Sequence, residues 1–101
     1  MRTLLFFDLP SITNEDKKHY RHFVKLIKMQ GFVRIQESVF SMLSLNQQYV
    51  DSTISFLQLN TPPKGNIMVL TVTEKQYTSM KIILGDIQTD VITSDERVII
   101  I

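Results

Sequence analysis

Cysteine and tryptophan are absent from this chain of 101 residues, and glycine and proline occur only three times each. Without cysteine there is no disulfide, no thiolate metal site and no thiol nucleophile, and the composition is compatible with a reducing compartment. No Gly-rich phosphate loop, Ser-His-Asp spacing or paired carboxylates stand out. Long apolar runs are missing too. Arg2 precedes only five apolar or small residues before Asp8, far short of a signal-peptide core or of the ~20 residues that a membrane span needs. The chain therefore reads as soluble and cytoplasmic, with no membrane partner. Its length suits one domain, because domains run from about 50 to 250 residues. A chain of this size buries only roughly 60–70% of its unfolded surface, so a partner surface would add to its stability.

Net charge is +1, but its distribution is uneven: residues 1–50 hold seven Lys and Arg against four Asp and Glu, and residues 51–101 hold four against six. Such asymmetry points to a polyanion partner. The positive charge gathers in a segment that reads as a helix from Thr13 or Asn14 as N-cap to about Gln30, with Gly31 past its end. Tyr20, Phe23, Val24 and Ile27 give it one apolar face. At roughly 100° per residue, Lys17, Arg21, Lys25 and Lys28 fall within about 80° of one another on the far side, with Lys18 beside them. Arg34 extends the patch. Such a stripe suits the phosphates of a duplex rather than its bases, although ordinary solvated helix faces carry similar patterns. His19 and His22 share a turn but lack a third nitrogen or sulfur ligand nearby, and read as surface or boundary residues. Tyr20, Tyr49 and Tyr77 read as core or interface residues rather than catalysts.

The first strand, Leu4-Leu5-Phe6-Phe7, lacks alternation and so predicts cover on both faces. It ends in Asp8-Leu9-Pro10. Proline cannot donate to a ladder and drives Leu9 into an extended turn, which leaves Asp8 at a rim, where it either caps the turn or serves a site. Residues 32–45 predict either two short strands broken near Gln36-Glu37 or one bent strand. Asn46 caps a second helix to about Asn60, with Val50, Ile54 and Leu57 on one face, and Thr61-Pro62-Pro63-Lys64-Gly65 stops it. Ile67–Val72 reads as a central strand, Glu74–Ser79 as one helical turn, and Met80–Leu84 as a further strand ended by Gly85. After a polar stretch the chain finishes Arg97-Val98-Ile99-Ile100-Ile101. Four β-branched residues on a free edge would aggregate, so Val98, Ile99, Ile100 and Ile101 should complete a sheet, either of the partner in a two-fold dimer or of their own subunit.

The order of elements matches a ferredoxin-like βαββαβ sandwich of class α+β over residues 1–85. Residues 86–101 then form a linker and an extra C-terminal strand exchanged in a homodimer. One Asp8 makes a poor magnesium site, since Mg²⁺ takes one or two carboxylates and keeps several waters. Two copies about a dyad could hold one Mg²⁺ between paired Asp8 side chains.

Phe7-Asp8-Leu9-Pro10, Gly31-Phe32, Gln36-Glu37-Ser38-Val39-Phe40, Pro62-Pro63-Lys64-Gly65 and Leu70-Thr71-Val72-Thr73-Glu74-Lys75-Gln76 together resemble the second CRISPR-associated protein, the small adaptation protein, most closely its type II-A form. The resemblance spans nearly the whole chain. It implies a ferredoxin-like homodimer whose C-terminal strands pair with the opposite subunit. It further implies a place between two dimers of the spacer integrase, where the dimer supports a captured duplex during integration. Members are also described as metal-dependent nucleases acting on RNA or DNA, which would make Asp8 catalytic. Many relatives carry an acidic residue where this chain has Ser41. A DNA-binding scaffold is the favoured reading, a Mg²⁺-dependent endonuclease on single-stranded RNA or duplex DNA the alternative, and a small ligand-sensing dimer a third.

Overall fold

The computed structural model describes residues 1–85, so the expected linker from Asp86 and the expected strand Val98–Ile101 lie outside the described residues. Seven elements follow in the order β1 (Arg2–Asp8), α1 (Asn14–Gln30), β2 (Val33–Gln36), β3 (Val39–Leu43), α2 (Gln47–Leu59), β4 (Asn66–Val72) and α3 (Glu74–Thr78). The four strands form an antiparallel sheet ordered β2-β3-β1-β4, an α+β arrangement of ferredoxin-like type.

Helix α1 starts where the sequence sets a capping box: the Thr13 side chain accepts from the Asp16 backbone N–H at 3.0 Å, and the Asp16 carboxylate accepts from the Thr13 N–H at 3.3 Å. It ends at Gly31, whose φ of 108° lets its N–H return to the last turn while the Phe32 N–H reaches the Ile27 carbonyl at 3.0 Å. The turn-forming face of α1 buries Phe23 and Ile27 with Leu57 of α2 against Leu5 and Phe7 of β1, Phe40 and Met42 of β3, and Phe32. Phe7 is the hub, with Phe40 stacked at 5.7 Å and Phe23 edge-on at 5.3 Å between ring centroids. Asn46 caps α2 through the Tyr49 N–H at 2.8 Å. Its buried row is Val50, Thr53 and Leu57, with Ile54 half-buried beside it.

Residues 32–45 resolve as two strands joined by a tight turn at Glu37-Ser38. No residue of that turn has a positive φ, which excludes the primed turns that match strand twist. A register shift between Arg34 and Gln36 takes up the mismatch instead. The Ser38 carbonyl accepts the Phe7 N–H at 3.1 Å and ties the turn to β1.

Two expectations are corrected. Ile67–Val72 lies at the sheet's edge among the described residues, not at its centre, because β1 occupies the middle and pairs with both β3 and β4. Met80–Leu84 is not a strand. The segment lies beside Leu4, Phe6, Ile35 and Val39 on the outer face of the sheet, with Met80 and Ile82 half-buried and Ile83 and Leu84 exposed. β1 is thus covered on both faces, by the helices at Leu5 and Phe7 and by this segment at Leu4.

Candidate nucleic-acid interface

Lys17, Lys18, Arg21, Lys25 and Lys28 are all exposed on α1, opposite the face that buries Phe23 and Ile27. Lys17 to Lys28 spans about 17 Å along the axis, the rise of about five phosphates on one strand of a duplex. The only acids of α1, Glu15 and Asp16, sit in its first turn, where they favour the helix dipole and stand apart from the cations of its later turns. Asp16 is further engaged. Hydrogen bonding from the Thr13 backbone, helped by the Thr13 side chain and by Lys64 with its Nζ 4.0 Å away, holds its carboxyl below the ordinary value against the opposing effect of burial.

The stripe leads into a groove between α1 and β2, lined by Tyr20, Arg21, Val24, Lys25, Lys28, Met29 and Arg34. Four of its seven residues are cationic, and no Asp or Glu lines it among the described residues. The structure therefore brings Arg34 together with the C-terminal half of the stripe, whereas Lys17 and Lys18 stand nearer the N-terminal end of α1.

Asp8 is exposed at the end of β1, in register with Asn66 of β4. Its neighbours along the strand alternate, Phe7 towards the helices and Phe6 towards the opposite face, so Asp8 belongs to the outer face of the sheet rather than to the face carrying the stripe. Gly65 packs under this rim: a Cβ at position 65 would come 2.5 Å from Leu9 Cδ2 and 2.8 Å from the Asp8 carbonyl oxygen. Among the described residues no three His, Cys, Asp or Glu side chains gather as metal ligands. One chain supplies one rim carboxylate, which does not by itself fit a protein-held Mg²⁺; a second Asp8 would have to meet it. His19 instead faces Glu15 at 3.5 Å, and His22 is exposed.

Sequence reasoning did not single out Arg2, Ser41, Glu74 and Tyr77 as a unit. Arg2 donates from Nε and Nη2 to Glu74 at 3.0 and 2.8 Å, its guanidinium lies 4.3 Å from the centre of the Tyr77 ring, and the Tyr77 hydroxyl is 3.3 Å from Ser41 Oγ. These contacts fasten α3 to the sheet. Sequence separations of 72 residues for Arg2 to Glu74 and 36 for Ser41 to Tyr77 hide them from any local pattern. No helix among the described residues is long and apolar enough to cross a membrane.

The family described as CRISPR associated protein Cas2 matches residues 1–80. The chain is 45% identical to a protein of Treponema denticola over 101 residues, covering all of both chains. It is 43% identical to one of Streptococcus mutans over 99 residues, which is 98% of this chain and 91% of the relative. It is 39% identical to one of Ligilactobacillus salivarius over the full length of both. Each of the three is named CRISPR-associated endoribonuclease Cas2.

Proposed function

The chain belongs to the CRISPR associated protein Cas2 family, and from that premise we propose that it acts as a homodimeric scaffold in CRISPR adaptation. The dimer holds duplex DNA by its backbone, between two dimers of the spacer integrase, while the integrase joins the DNA ends to the repeat array. The observation that carries this reading is the run of exposed cations along α1 and into the groove at Arg34, whose lining holds no acid among the described residues. Cations in a line, with no carboxylates or amides presented among them, neutralise phosphates without reading bases, and binding is driven by release of condensed counterions. The outer face of β4 supplies the dimer surface: Met68 and Leu70 are 67% and 53% exposed, and the outer edge of β4 pairs with no strand among the described residues.

The relatives' name, endoribonuclease, favours a second reading, an endonuclease that cuts RNA; the family resemblance adds a metal and, as another substrate, DNA. In it the Asp8 carboxylates of two copies would hold a Mg²⁺, which supplies positive charge to a phosphodiester. The two readings part on Asp8→Asn. The scaffold reading expects spacer acquisition with the integrase to persist in this variant, with duplex affinity unchanged. Loss of acquisition from an intact variant dimer that still binds the integrase would reject it.

A further inference from the structure

We propose that Arg34 is a fixed phosphate fork that sets the register of the bound backbone, while the cations of α1 act as exchangeable point charges. This deepens the duplex-binding reading and rests on it. Four features of the structure separate Arg34 from the stripe. It stands opposite Phe40 in the β2–β3 ladder, and its guanidinium carbon lies 5.2 Å from the centre of the Phe40 ring, which is itself fully buried. The cation is thus held against an aromatic face that cannot move without disturbing the core. Ile35, next along the strand, turns to the opposite face by ordinary alternation and lies in the buried apolar layer on the outer side of the sheet. The register shift between Arg34 and Gln36 follows at once, so Ile35 pins the strand on one face while Arg34 is held on the other.

The third feature is hydration. Arg34 Nε is shielded from solvent and has no hydrogen-bond partner among the described residues, so the guanidinium has given up part of its water without gaining an acceptor. Lys25 of the stripe loses nothing of the kind, because its side chain is exposed to solvent. The fourth is the absence of acid from the groove lining among the described residues. A partly dehydrated, immobilised guanidinium with cations on one side and no carboxylate in its groove among the described residues is preorganised for an anion from outside. Its planar end presents two parallel N–H donors, which match two oxygens of one phosphate in a way that an ammonium does not. The occupant is therefore a phosphodiester of the duplex backbone.

Charge-conserving substitution isolates the fork from the charge. Duplex binding is measured by fluorescence anisotropy over a salt series for the wild-type protein, Arg34→Lys and Lys25→Gln, with thermal unfolding of each variant as the control for folding. Arg34→Lys should weaken binding about tenfold while leaving the slope of log K against log salt unchanged, because the charge remains and only the paired hydrogen bonds go. Lys25→Gln should lower the slope by about 0.9 with a smaller loss of affinity at moderate salt. Equal affinity of Arg34→Lys and wild type overturns the fork while leaving the duplex-binding reading intact. A wild-type protein that does not bind duplex at low salt overturns that reading itself. Should Arg34→Lys unfold earlier than wild type, the two are compared at a temperature where both are fully folded: weaker duplex binding by Arg34→Lys there at an unchanged salt slope supports the fork, and equal affinity rejects it.

Discussion

A methyl group at position 65 has nowhere to go. Two of its three nearest neighbours would be backbone atoms of the Asp8-Leu9 turn, and Gly65 has a φ of 110° that side chains rarely adopt. Gly65→Ala should therefore cost about 2–3 kcal/mol, combining strain with displacement of the rim. Urea unfolding measures this, and amide chemical shifts should move most at Asp8 and Leu9. A loss under about 0.5 kcal/mol would mean that the rim yields freely. The position of Asp8 at a strand end was legible in the sequence because Pro10 stops the ladder. The tight packing of Gly65 was not, since it arises only when β4 lies against β1 in the register Asp8 to Asn66. Arg34 divides the same way. Its charge is written in the chain, while its fixed orientation depends on a one-residue register shift and on a ring on the next strand.

The elements differ in how they are secured. For α1 the start is local: Thr13→Ala removes the acceptor of the Asp16 N–H and should lower stability by about 1 kcal/mol, as read by chemical denaturation, with the salt slope of duplex binding unchanged because no cation is lost. For α3 the fastening is remote and ionic. Arg2 holds the Glu74 carboxyl below its ordinary value, chiefly by hydrogen bonding and further by charge, against partial burial. A folded state with a lowered carboxyl value binds its proton less readily than the unfolded chain. The contribution is therefore complete above the ordinary carboxylate value and is lost as pH falls through the lowered one. Glu74→Gln should be less stable than wild type by at most about 1 kcal/mol near neutrality, since the pair is open to solvent, and the two proteins should converge in stability below the carboxylate range. A difference that persists at acid pH would assign the contact to packing. Caps and apolar periodicity made α1 and α2 legible, for these signals lie within a few residues of each other. The same reasoning failed at Met80–Leu84, whose β-branched composition favours a strand but which lies beside the outer sheet face without joining a ladder, with Ile83 and Leu84 left exposed. It also misplaced β4, because composition reports burial and says nothing of order across a sheet.

At the scale of the whole molecule, the two faces of the sheet have different assignments. The helix face closes the core and carries the cations on its outer surface, while the opposite face has α3 and the half-buried Met80 and Ile82 over β1 to β3 and is left open at β4. An apolar strand of seven residues at an edge is an invitation to pairing, and on the dimer reading that pairing is with a second copy. Leu70→Lys places a charge at the centre of this surface and leaves the core, which β4 reaches through Val69 and Ile67 on the other face, untouched. Light scattering should then report a monomer with a far-ultraviolet spectrum like that of wild type. The consequence for the nucleic acid follows from charge alone. If both stripes of a dimer lie on one duplex, separating the copies halves the phosphates neutralised per binding event, and the slope of log K against log salt should fall to about half its wild-type value. A monomeric Leu70→Lys with an undiminished slope would mean that one stripe carries the duplex by itself, and a Leu70→Lys that remains dimeric would move the dimer surface away from β4.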